Sequence, residues 1–166
     1  IQDRQINMAR RTLSKAETDT LVEAAREHQT TVHGALAASI MTTIAEDLGK
    51  TSPLLFGSPV DVRERVEPKV GDDIGMYVAL GVTLHEVDPD KIAFWDLAKQ
   101  ARDDLHAQIE DGGAHTLLPM QARFLALAAR LLPAPWFGAF VENAQLPAIG
   151  LTNIGRVQFD ADFSPF

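Results

Sequence analysis

The sequence predicts an α/β fold, a mixed β-sheet with helices packed on it. Three observations lead there. Apolar residues recur at helical spacing in several stretches, two of them opened by capping residues. Residues 54–62 form a continuous apolar run and residues 75–87 alternate, the two patterns expected of strands. The elements follow the order β-α-α-β-β-α-α-β-β without repeats or low-complexity linkers, as in a single layered unit spanning residues 1–166.

Residues 5–13 read as a short strand running into Ser14. Ser14 with Glu17 three positions on is a capping box, so a helix begins there and runs to about residue 28. Leu21 and Ala25 lie on its apolar side, and Glu17, Asp19, Glu23 and Arg26 face water. Thr30 or Thr31 caps a second helix that continues to Leu48 and stops at Gly49. Val32, Leu36, Ile40 and Ile44 form its stripe, and Ala35, Ala37, Ala38 and Ser39 widen it with small residues suited to close packing.

The run 54–62 surrounds Gly57 and Pro59 and reads as a buried strand that leaves its sheet at Pro59. A charged loop with Pro68 and Gly71 covers residues 63–73. Beyond it Met76, Val78, Leu80, Val82 and Leu84 alternate with Tyr77, Ala79, Thr83 and His85. Asp88 and Pro89 open a third helix whose buried face is Phe94, Leu97, Ala98, Ala101 and Leu105, ending at Gly112 and Gly113. Residues 116–140 are Ala-rich and broken by Pro133 and Pro135, consistent with one or two buried helices. Residues 146–153 and 155–159 read as two short strands meeting at a tight bend.

Bulk properties exclude several function classes. With 46% hydrophobic and 23% charged residues the chain can bury a core. A net charge of −8 argues against nucleic-acid binding and against a polybasic membrane patch. No window is long and apolar enough for a membrane span, and no signal peptide opens the chain, so a cytoplasmic location is expected. The absence of cysteine removes disulfides and thiolate metal sites. The chain begins at Ile1 without an initiator Met and ends on Phe166, which suggests a piece of a longer protein.

Three stretches together resemble a known family. Residues 31–38 (TVHGALAA) resemble the helix after the inter-domain crossover of condensation-like acyltransferases. Residues 58–65 (SPVDVRER) with 70–78 (VGDDIGMYV) resemble the "PVDLR…GN" block of polyketide-associated and alcohol acyltransferases, and residues 150–157 (GLTNIGRV) resemble their "LTNLGRV" strand. The resemblance implies the C-terminal part of a chloramphenicol-acetyltransferase-like enzyme, one half of its two-layer sandwich. Such enzymes move an acyl group from a thioester to an alcohol or amine. The expected donor is a coenzyme A or phosphopantetheine thioester with no tightly bound cofactor. The expected partners are a missing N-terminal half and either acyl carrier protein or acyl-CoA.

The family's base is the second histidine of an H-H-x-x-x-D-G motif, and that motif is absent here. The histidines are His28, His33, His85, His106 and His115, none of them adjacent to another. His106 precedes Asp111 and Gly112 with one residue too many, and helical geometry turns it to solvent beside Lys99 and Arg102. This chain alone is therefore expected to be inactive.

By resemblance, Thr152, with Asn153 beside it, is the candidate to donate a hydrogen bond to the developing oxyanion. Arg63 resembles the arginine that holds the motif's aspartate, a role suited to a planar guanidinium. Gly71, Gly75 and Tyr77 form a candidate channel floor. Structural alternatives stand beside each: a strand threonine with Asn153 and Gly155 shaping a turn, a surface arginine paired with Glu64 or Glu67, and turn glycines in a hairpin connection. No histidine pair has metal-ligand spacing, so no metal is expected. A non-catalytic module that binds a carrier protein or partner subunit is the alternative function. The loss of a partner half would leave an apolar face exposed and favour homo-oligomers through it.

Overall fold

A computed structural model describes residues 7–71, 74–91 and 93–112, together with 123–124, 126–131, 133, 135–136 and 149–155. Helix α1 (Lys15–Glu27) starts where the capping box predicts. The Ser14 side chain accepts the Glu17 N–H while the Glu17 carboxylate accepts the Ser14 N–H at 2.7 Å. Thr31 caps helix α2 (Val32–Leu48), and Gly49 ends it in a left-handed conformation, φ 61°. The expected strand at 5–13 does not form over its described part, residues 7–13, which carry no strand pairing.

Strand β1 (Ser52–Asp61) pairs antiparallel with β2 (Val78–Val87) along its whole length and parallel with β3 (Ile149–Gly150), giving the order β2-β1-β3. The sheet is therefore mixed, as predicted. β1 does not leave the sheet at Pro59, which pairs with Leu80. The reason lies in the alternation of backbone groups. Leu151 donates to the Gly57 carbonyl, so odd-numbered residues of β1 turn their N–H and C=O toward β3. Pro53 and Pro59 thus lack a donor only on the side where β3 is short, and the ladder to β2 is intact.

Helix α3 (Phe94–Glu110) begins five residues beyond Pro89. Asp88 and Pro89 instead form a turn, in which Asp88 Oδ1 accepts the Asp90 N–H and Lys91 pairs with the Asp88 carboxylate. Its buried face is Leu97, Ala98, Ala101, Leu105 and Ile109, while Phe94 is exposed. In the segment 116–140 the described pieces at 123–124, 126–131 and 135–136 are helical, and the rest of it lies outside the described residues. So do residues 146–148 of one predicted strand and 156–159 of the other.

α2 and α3 cover one face of the sheet, and small residues set how closely they meet. A Cβ at Gly34 would lie 2.5 Å from the Ala98 carbonyl oxygen, and Thr30 Oγ1 donates to the same oxygen at 2.8 Å. A Cβ at Gly81 would lie 2.4 Å from Leu105 Cδ1. α2 buries Gly34, Ala35, Ala37, Ala38, Met41 and Ala45, whereas Leu36 of the aliphatic stripe is exposed. Met41 and Leu97 are fully buried in the main core with Leu54, Phe56 and Val87, each large side chain contributing about 1.5–3 kcal/mol. β2 alternates as predicted, and its inward face carries the smaller set: Ala79, Gly81, His85 and Val87. Val78 and Leu84 stand exposed on the other face.

Candidate functional site

The C-terminal end of β1 gathers the candidate residues. Val62 donates to the Tyr77 carbonyl at 2.8 Å, closing the hairpin just beyond its last pair, Asp61 with Val78. The connection between these closing residues begins with a short 3-10 turn, Arg63–Arg65. The Arg63 N–H donates to Asp61 Oδ1 at 2.9 Å, which anchors the turn to the strand end. The Arg63 guanidinium donates to the Gly71 carbonyl at 2.7 Å and lies 4.6 Å from the centre of the Tyr77 ring. Gly71 has φ +51°, a conformation that favours glycine. At Gly75 the need is space: a Cβ there would lie 2.7–2.8 Å from three atoms of the Tyr77 side chain. Gly71, Gly75 and Tyr77 are thus assembled around Arg63.

Thr152 arrives at the same end because β3 runs parallel to β1. Phe56 aligns with Ile149 and Gly57 with Gly150, and Leu151 donates to the Gly57 carbonyl at 3.0 Å. Continuing that register sets Thr152 beside Pro59, within about 13 Å of Arg63 along the strand direction. Thr152 is exposed. Asn153 turns its side-chain oxygen to the Gly155 N–H at 2.9 Å, and Gly155 has φ +71°, so Asn153 shapes the turn that follows Thr152.

The histidines lie elsewhere. His106 is exposed and borders a cleft of about 220 Å³ lined also by Val60, Asp61, Arg65, Ile109 and Glu110. Val60 and Ile109 belong to the core between β1 and α3, which puts this cleft on the helix side of the sheet. His85, which the alternation leaves near a strand end, is 1% exposed in the core between β2 and α3. Its Nε2 bonds Thr83 Oγ1 at 2.8 Å, and its Nδ1 has no hydrogen-bond partner, the Asp104 carboxylate standing 3.6 Å away. Burial holds this imidazole below its ordinary pKa, and Asp104 opposes the shift. His33 Nε2 meets Ser58 Oγ at 2.9 Å, and burial lowers its pKa as well. Ser58 is only 4% exposed, so this pair ties α2 to β1. Sequence reasoning missed Ser58, which shares a face with Leu54 and Phe56 but is shown to point inward only by its contact with α2. Among the described residues no group of histidines and carboxylates is arranged to hold a metal ion.

The profile of the phthiocerol/phthiodiolone dimycocerosyl transferase C-terminus family matches residues 2–160. The chain belongs to that family. Among solved structures, the family member is similar to polyketide synthase associated protein 5 from Mycobacterium tuberculosis, with 22% identity and a TM-score of 0.56 over 68% of this chain. At that identity the likeness concerns the fold, an α/β unit with a mixed sheet. The match covers 31% of that structure's chain, so this family member spans about a third of its length. No curated protein sequence matches the chain. Among the described residues no helix is long and apolar enough to cross a membrane.

Proposed function

We propose that this chain is the C-terminal portion of an acyltransferase that moves an acyl group from a thioester to a hydroxyl of a lipid or polyketide. The thioester is carried by coenzyme A or by the phosphopantetheine of an acyl carrier protein. The observation that carries the reading is the family match over residues 2–160, and the placement of both Arg63 and Thr152 toward the C-terminal end of β1 is consistent with it. In this reading the Thr152 hydroxyl donates a hydrogen bond to the oxyanion of the tetrahedral intermediate. Arg63 holds a carboxylate of the preceding half and so keeps that half's catalytic loop in place. The proton acceptor is assigned to the preceding half, because the H-H-x-x-x-D-G motif that carries the family's base is absent from this chain.

The test is release of free coenzyme A thiol from a long-chain acyl-CoA in the presence of a long-chain primary alcohol. The complete reading frame is expected to release thiol and form ester, and residues 1–166 alone to do neither. Turnover by residues 1–166 alone would overturn the reading, and so would a complete protein that forms no ester.

A further inference from the structure

The group around Arg63 has an order that the reading above does not use. The Tyr77 side chain is next to both Gly75 and the Arg63 guanidinium. It occupies the space a side chain at position 75 would need, with Cε2, Cζ and Oη 2.7–2.8 Å from the place of a Cβ. The guanidinium carbon stands 4.6 Å from the ring centre, within the range of a cation–π contact. The Gly71 carbonyl accepts from Nη1 at 2.7 Å, fixing the fork in a second direction. Gly75 does not adopt a positive φ, and the nearest atoms a side chain there would meet all belong to Tyr77. Tyr77 itself is held by its carbonyl, which accepts the Val62 N–H where the sheet ends.

We infer that Tyr77 and Gly75 are positioning residues for Arg63, a stacked support that sets the direction of the guanidinium at the end of β1. A long flexible side chain loses rotamer freedom when it binds, and a ring beneath the guanidinium removes that cost in advance. The carboxylate partner then meets a fork already oriented for two parallel hydrogen bonds. This rests on the acyltransferase reading for the identity of the partner, but the stacking itself does not. It also changes the sense of the candidate channel floor. Gly75 is required for what lies beneath Arg63, and a substrate need not touch it.

Gly75→Ala is the informative change, since its methyl displaces the far end of one side chain and leaves the backbone alone. The Arg63 side-chain Nε–H resonance of residues 1–166, assigned by Arg63→Lys, reports the stack directly. It is expected upfield in the native chain and in Tyr77→Phe, which keeps the ring. It is expected at the ordinary arginine position in Gly75→Ala and Tyr77→Leu. In the complete protein Gly75→Ala and Tyr77→Leu should lower kcat on the order of tenfold to a hundredfold with little change in KM, as misplacement of a supporting group does. Tyr77→Phe should restore most of that loss. An Arg63 signal that Gly75→Ala and Tyr77→Leu do not move would overturn the stack. A signal that moves while kcat stays would overturn the positioning role. A complete protein without ester formation would sink the acyltransferase reading alone, because the resonance still decides whether Tyr77 orients Arg63.

Discussion

The two faces of the β1–β2 pair are built on opposite plans. The inner face carries Leu54, Phe56, Ser58, Ala79, Gly81, His85 and Val87 and is sealed by helices. The outer face pairs Leu55 with Leu84, Pro59 with Leu80, and Asp61 with Val78, and Leu84 is 64% exposed. The side that excludes water on β2 is thus the side of smaller residues. Helices need room to approach, so Gly34 and Gly81 decide where the core sits more than the size of the aliphatic side chains does. On the outer face Val78 and Leu84 stand exposed.

The largest expected effect comes from breaking the inner contact. Gly34→Ala forces a methyl against the Ala98 carbonyl oxygen, a backbone atom that cannot step aside, and should destabilise the chain by about 1–3 kcal/mol in urea unfolding. A substitution within about 0.5 kcal/mol of the native chain would mean the helices are less tightly set than described.

The buried histidines sharpen the contrast through pH. His85 is held neutral by burial, so the unfolded chain takes up a proton near the ordinary imidazole value of 6.5 and the folded chain only at lower pH. Stability from this source is complete above pH 6.5 and falls as the pH drops below it. His33 acts in the same direction. Urea midpoints measured from pH 7.5 to pH 5 should fall for the native chain and fall less steeply for His85→Leu. Equal slopes would show that His85 is not titrating from a buried neutral state.

On the outer face the expected effect on stability is small. Leu84→Lys should change the urea midpoint by less than about 0.5 kcal/mol, as for an exposed site. If that face drives self-association, sedimentation should show the native chain forming dimers or larger species and Leu84→Lys shifting toward monomer. A native chain that sediments as a clean monomer at high concentration would remove the outer face as an association surface.

Much of this arrangement was legible in the residues. The capping box at Ser14, the cap at Thr31 and the stop at Gly49 are local signals, and local hydrogen bonds decide them. The alternation of β2 gave its period, but which face turns inward depends on helices that the strand pattern does not contain. Pro59 misled because a proline breaks a ladder only on the side its nitrogen faces, and that side was set by the distant Leu151. The start of α3 was misplaced because Asp88 used its carboxylate to close a turn. At the site, the resemblance brought Arg63, Gly71, Gly75, Tyr77 and Thr152 forward as separate candidates. The contact of Tyr77 with Arg63 and its crowding of Gly75, and the use of Asn153 in its own turn, needed three-dimensional contacts to be seen.

The central proposal is that Thr152, which follows β3 beside the C-terminal end of β1, is the oxyanion donor for a reaction whose base lies elsewhere. The most direct measurement is the steady-state rate of ester formation by the complete protein carrying Thr152→Ala, with Thr152→Ser as the conservative partner. The account predicts a fall in kcat on the order of a hundredfold for alanine, with KM nearly unchanged and most of the rate regained by serine. A Thr152→Ala protein that forms ester at the native rate would contradict it.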